Sequence, residues 1–189
     1  NAVTVRPPLF SQQTIPPREI LRFRARILSA IRGFFSGRDY LEVETPIRIP
    51  APAPEAHIDA VPAGEWFLQT SPELCMKRLL AAGCERIFQI CKCFRRGERG
   101  RRHLTEFTLL EWYRAGSDYF QMMEETESLI RSAAEAAGKG ARLAYAGQEV
   151  DLESPWDRMR VSEAFDRYAA VSMERSLETD RFDEVIALE

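Results

Sequence analysis

The chain has 189 residues, 45% of them hydrophobic and 29% charged, with a net charge of −3; it is long enough for a real core and too apolar for disorder. A protein devoted to gripping a nucleic-acid backbone tends to be basic overall, so an arginine cluster in this chain reads as a local anion site. No apolar run approaches the roughly 18 residues of a membrane helix and no signal peptide opens the chain, which predicts no membrane association and a cytoplasmic protein.

Residues 1–17 carry Pro7-Pro8 and Pro16-Pro17 without periodicity and read as an extended arm; residues 18–189 show no repeat and no second domain. From Arg18 to Ser36, Ile20, Phe23, Ile27, Leu28, Ile31, Phe34 and Phe35 recur at helical spacing, and Gly37 ends the pattern. Tyr40 to Pro46 predicts a short strand stopped by proline. Residues 50–64, with four prolines, read as a loop, and its His57 as polar surface. Glu65 to Thr70 predicts a strand. Ser71-Pro72-Glu73 then opens a helix, with Ser at the N-cap, Pro at the first helical position and an acid in the first turn; it runs to about Ala82 and Gly83 ends it.

The most informative stretch is Cys91 to Arg114. An alternating apolar run from Ile87 to Phe94 and a second from Glu106 to Tyr113 predict an antiparallel hairpin around the loop Arg95–Thr105. Side chains alternate along a strand, so Phe107, Leu109, Glu111 and Tyr113 share one face, and Glu106, Thr108, Leu110 and Trp112 the other. The loop beside the first face holds Arg95, Arg96, Arg99, Arg101, Arg102 and His103. Guanidinium forks at the tip and a carboxylate on the floor suit a polyanion lying next to an ammonium. The same residue types also describe a solvated arginine face on a half-buried sheet.

Beyond the hairpin, Asp118 caps a predicted helix to about Ala137, with Met122, Met123, Leu129, Ile130 and Ala133 toward the body, closed by Gly138-Lys139-Gly140. Ala144 to Leu152 predicts a strand or hairpin turning near Gly147-Gln148. Ser162 is a cap for a short helix through Tyr168, and Asp180 to Leu188 predicts a last one. Methionines and aromatics on these helices read as core. The four cysteines, 75, 84, 91 and 93, lack metal-site spacing and read as buried free thiols, with no metal ligand assigned; Cys91 and Cys93 share a strand face, a poor geometry for a bridge.

The order Phe94-Arg95, loop, His103, then Thr105-Glu-Phe-Thr-Leu-Leu-Glu-Trp-Tyr113 resembles motif 2 of class II aminoacyl-tRNA synthetases, in their lysine branch. Thr70-Ser-Pro-Glu73, Met76-Lys-Arg-Leu-Leu80, Ala82-Gly-Cys84 and Leu110-Glu-Trp-Tyr113 narrow the likeness, which covers about Ile20 to Tyr168, to the stand-alone paralogues that ligate lysine or β-lysine to elongation factor P. The resemblance implies an α+β fold, an antiparallel sheet flanked by helices, with the 18–46 unit as motif 1 at a homodimer interface. It implies ATP and Mg2+, and adenylation of lysine or β-lysine followed by transfer to elongation factor P, with tRNA as the alternative acceptor. Arg95 is then the catalytic residue, bridging the substrate carboxylate and the α-phosphate. Phe107 stacks on adenine, and His103 and Glu98 attend the triphosphate. Ser71, Pro72, Glu73, Glu111 and Tyr113 surround the amino groups of the substrate. Glu73 also suits a positive helix end with no ligand at all, so its role rests on the resemblance.

Departures are visible too. Arg96, Gly97 and Leu104 stand where relatives usually carry an Asn-Glu pair and a second Asn, with Glu98 replacing the acid one residue later. Motif 3, with its second arginine, is absent before Glu189. That predicts a sheet incomplete at the C-terminus and a chain that is the first part of a longer protein, unable by itself to complete catalysis. A lysyl-tRNA synthetase catalytic portion and an inactive synthetase-like binding module are the competing readings.

Overall fold

The computed structural model describes residues 17–169 and 172–178; the expected helix at 180–188 and nearly all of the N-terminal arm lie outside them. Helix α1 (Arg18–Ser36) is followed by strands β1 (Leu41–Glu42), β2 (Arg48–Ile49), β3 (Val61–Ala63) and β4 (Trp66–Leu68). Then come helix α2 (Glu73–Ala81), strands β5 (Arg86–Phe94) and β6 (Glu106–Arg114), and helix α3 (Tyr119–Ala136). The hairpin β7 (Arg142–Tyr145) and β8 (Gln148–Asp151) leads to α4 (Val161–Ala164), a π-helical turn (Phe165–Ala169) and α5 (Met173–Glu178).

The central sheet has the order β1-β5-β6. β5 and β6 pair antiparallel over nine residues, from Arg86 opposite Arg114 to Phe94 opposite Glu106. This register makes the two faces of the hairpin chemically distinct. On one, Phe88 faces Trp112 and Ile90 faces Leu110; on the other, Gln89 faces Glu111 and Cys93 faces Phe107. β1 pairs parallel to β5, with Leu41 opposite Ile87, so the sheet is mixed where an antiparallel one is expected. The chain crosses from β1 to β5 through 43 intervening residues, enough to return in the same direction.

Behind the first face, Phe34, Phe35, Tyr40, Phe88 and Leu129 form a buried cluster joined by Ile31, Ile90, Leu110 and Trp112. Phe35 is wholly enclosed, stacked on Phe88 with ring centroids 4.7 Å apart and edge-on to Phe34 and Tyr40. Offset and edge-to-face rings are the favoured aromatic arrangements. Glu125 of α3 closes this layer, accepting hydrogen bonds from the Tyr40 hydroxyl (2.6 Å) and the Trp112 indole (3.3 Å). The predicted start of α3 holds, with Asp118 and Gln121 bonding reciprocally as a capping box.

Several expectations need correction. Among the α3 residues expected toward the body, Leu129 is buried, but Met123 and Ile130 are exposed, as are the aromatics Tyr119 and Phe120; helical spacing defines a face without saying what covers it. Ser162 is not a cap: α4 begins at Val161 with Arg160 before it. The loop 50–64 ends in β3, which carries Pro62 on the edge of a small sheet ordered β2-β4-β3, where a missing N–H costs no ladder bond. The β7–β8 turn falls on Ala146-Gly147, both with positive φ (51° and 80°), one residue earlier than expected; positive φ at both central positions defines the hairpin-favouring type I′ turn.

Candidate active site

The second face of the hairpin carries two groups of side chains. The first lies where α2 begins. The Ser71 hydroxyl accepts from the Glu73 backbone N–H (3.1 Å) and donates to Oε2 of Glu111 (2.7 Å). The helix starts one residue later than Ser-Pro-Glu predicts, yet Ser71 still satisfies one of its free donors. The Tyr113 hydroxyl donates to Oε1 of Glu111 at 2.5 Å. Each Glu111 oxygen is thus held by a neutral hydroxyl, which orients the carboxylate without cancelling its charge. Burial, then the Glu111 hydrogen bond and the nearby Glu111 and Glu73 charges, push the Tyr113 phenol well above its ordinary value, so it stays a donor.

Glu73 itself is paired with Lys77 one turn along α2. Its carboxylate reaches the site as a field on Tyr113 rather than as a bonded partner. Pro72 is fully buried, and its carbonyl accepts from the Met76 N–H.

The second group sits at the open end of the hairpin. Arg95, Glu98, Arg102, His103, Leu104 and Phe107 line a pocket of about 180 Å3. Arg95 is turned inward. Its guanidinium lies 5.1 Å from the Phe107 ring centroid, with Nε 3.4 Å from the Thr70 carbonyl and Nη1 3.8 Å from Glu98. Arg95 therefore does not reach Glu73 or Glu111 directly. It touches the carbonyl preceding Ser71, and the two groups lie on one strand face with Phe107 and Glu111 about 13 Å apart along β6 at ~3.3 Å per residue.

Between them lie Cys91 and Cys93, free and with sulfurs 3.8 Å apart. Their mutual hydrogen bond lowers the Cys91 thiol and, with burial, raises that of Cys93. Of the four cysteines expected to be buried, only Cys93 is fully so, the others being partly exposed. On the same face, Gln89 is opposite Glu111 and accepts from Thr45 (3.0 Å), and Gln69 is wholly buried and donates to the Lys92 carbonyl (2.9 Å). These two glutamines were not singled out from sequence; the alternation of residues 65–70 and 87–94 was the available signal. Among the described residues, no three His, Cys, Asp or Glu side chains are placed to hold a metal ion. No described helix is long and apolar enough to cross a membrane.

Residues 12–186 match the family described as tRNA synthetases class II (D, K and N). The chain belongs to this family. Among curated proteins it is similar to the lysine–tRNA ligase of Neisseria gonorrhoeae, 40% identical over 151 residues that make up 77% of this chain and 30% of that protein. The lysine–tRNA ligases of Magnetococcus marinus and Burkholderia vietnamiensis are 38% and 39% identical, over 85% and 87% of this chain and 33% and 34% of theirs. The chain spans about a third of the length of these relatives. The segment Cys91–Arg114 comprises the end of β5, the pocket-lining loop and all of β6.

Proposed function

We propose that the protein is an ATP-dependent ligase that activates lysine or β-lysine as an aminoacyl-adenylate and transfers it to a lysine of elongation factor P. The observation that carries the amino-acid half is Glu111, a floor carboxylate held at both oxygens by Ser71 and Tyr113. A cation meeting it finds a charge already oriented, whereas an acidic side chain is repelled. Glu73, partly neutralised by Lys77, adds negative field at the same end.

In this reading the substrate carboxylate oxygen forms a bond to the α-phosphorus, the bond from that phosphorus to the bridging oxygen breaks, and pyrophosphate leaves with the electron pair. The carboxylate is already ionised near neutral pH, so no general base is required. Catalysis comes from placing two anions together and compensating charge on the phosphoryl oxygens. Arg95 supplies that compensation, with a planar fork that lysine lacks. Phe107 offers a ring to the adenine, and His103 and Arg102 offer positive or donor groups to the phosphate tail. Glu98 holds Arg95 from the pocket wall. Magnesium, carried in by the phosphates, supplies further charge neutralisation when bound. In the second half, the acceptor amine attacks the acyl carbon of the adenylate, AMP leaves and a proton is released.

Ser71 is the residue that favours a protein acceptor, because alanine is common here in the tRNA-charging enzymes that the chain otherwise resembles. The names of its curated relatives favour tRNA. We also propose that α1 and β1 form a homodimer face, since Ile20, Leu21 and Leu41 are each 50% or more exposed. ATP–pyrophosphate exchange by the full-length protein with lysine and β-lysine, followed by transfer assays to elongation factor P and to tRNA, tests the proposal. Efficient tRNA charging with no protein product would overturn the acceptor assignment, and no exchange with either amino acid would overturn the activity.

A further inference from the structure

Arg102 has an outside partner that the adenylation chemistry does not use. It lines the pocket with Arg95, His103 and Phe107, yet among the described residues no carboxylate pairs with it, whereas Arg95 has Glu98. Its Nη2 instead donates to the Tyr145 hydroxyl at 2.7 Å, and the guanidinium lies 6.0 Å from the centroid of the Tyr145 ring. Tyr145 ends β7, immediately before the type I′ turn, and is 59% exposed. A side chain so exposed contributes little to the core; its specific contact is the arginine 43 residues away.

The hairpin that carries Tyr145 is itself anchored. The Leu152 N–H donates to the Ala141 carbonyl across its base, and Arg131 of α3 donates to the Leu152 carbonyl; Leu152 is buried. The hairpin thus connects the firm helix α3 to the tip of the pocket loop. The base of the loop is closed by the Arg95 N–H donating to the Thr105 carbonyl (3.0 Å) and the Arg96 N–H to the Asp59 carbonyl (2.7 Å), but its tip, where Arg102 sits, has only the weak backbone pair between Gly100 and His103, at 3.2 and 3.4 Å, among the described contacts. A long arginine side chain on a glycine-containing loop loses much of its freedom when it binds a phosphate, and a neutral hydroxyl that holds it beforehand reduces that loss without cancelling its charge.

We propose that Tyr145 is a positioning residue for the nucleotide pocket, holding the Arg102 guanidinium at the pocket wall where an ATP phosphate is received. The inference rests on the adenylation reading above. The test is steady-state ATP–pyrophosphate exchange by the full-length protein as wild type, Tyr145→Phe, Tyr145→Ala, Arg102→Ala and the Tyr145→Phe/Arg102→Ala double variant, with calorimetric titration of MgATP into the wild type.

Loss of one hydrogen bond to a charged group predicts a rise of about ten-fold in the ATP KM for Tyr145→Phe. A larger rise follows for Tyr145→Ala, which loses the ring contact as well. The lysine KM stays unchanged, and Tyr145→Phe adds nothing once Arg102 is absent. A merely structural tyrosine would shift both KM values together, or would add its effect to that of Arg102→Ala, and either result overturns the proposal. An ATP KM unaltered in both tyrosine variants overturns it as well. Absence of MgATP binding by the wild type instead removes the adenylation reading, and this positioning role with it.

Discussion

Replacing Glu111 with glutamine removes one charge from the floor of the site and almost nothing else. In the wild type both carboxylate oxygens accept, from Ser71 at 2.7 Å and from Tyr113 at 2.5 Å. In Glu111→Gln one of those oxygens becomes an amide NH2, and the facing hydroxyl must rotate to accept from it, exchanging a charge-assisted bond for a neutral one at a cost of about 1 kcal/mol. The fold should therefore survive with a small drop in its thermal midpoint. An incoming ammonium loses far more, because a hydrogen bond to a charged group contributes about 1.5–3 kcal/mol. The lysine KM should rise about ten- to hundred-fold, since about 1.4 kcal/mol is a factor of ten, with the ATP KM little changed. Pyrophosphate exchange at varied lysine, with thermal melting as the control, measures both. A folded Glu111→Gln protein with the wild-type lysine KM would refute the assignment of Glu111 to the substrate cation.

Arg95→Ala should reduce exchange by about 10²–10³ at saturating substrates, as for loss of one donor aimed at developing charge, and Arg95→Lys should restore only part of it; wild-type turnover in both would remove Arg95 from the chemistry. Phe35→Ala, which empties the centre of the aromatic cluster, should cost about 3–5 kcal/mol by denaturant unfolding. Tyr40 and Tyr113 are both raised above the ordinary phenol value, first by burial and then by their bonds to Glu125 and Glu111. Because the folded-state values lie above the unfolded one, the stability they contribute is intact below pH ~10 and is lost as pH rises beyond it. Phenolate absorbance should show these two ionising together with alkaline unfolding, and their titration in the folded protein at the ordinary value would contradict the burial argument.

The hairpin and its two faces were legible in the sequence because strand alternation is a local signal: knowing that Glu111 and Tyr113 point one way and Trp112 the other needs only their positions. The same holds for α1, for the Asp118 cap and for the Ser71 hydroxyl at the start of α2. What failed was long-range or relational. Nothing near Leu41 says that it runs parallel to Ile87, and nothing in the spacing of Met123 and Ile130 says that the face they occupy is left uncovered. Arg102 and Tyr145 meet only after two separate hairpins have formed. One miss was avoidable, since Glu73 and Lys77 stand four residues apart on a predicted helix, the spacing at which such pairs form.

The β6 ladder also limits how this chain can change length. Phe107, Glu111 and Tyr113 alternate with Leu110 and Trp112 under one continuous nine-residue pairing, so a single codon lost or gained inside it would rotate every later side chain to the opposite surface. The acid would then be driven among the phenylalanines and the indole out into the cleft. Within this hairpin a change of length leaves the two-sided strand intact only at the tip, between residues 95 and 105, and there it must spare the placement of Arg95, Glu98, Arg102 and His103, which line the pocket.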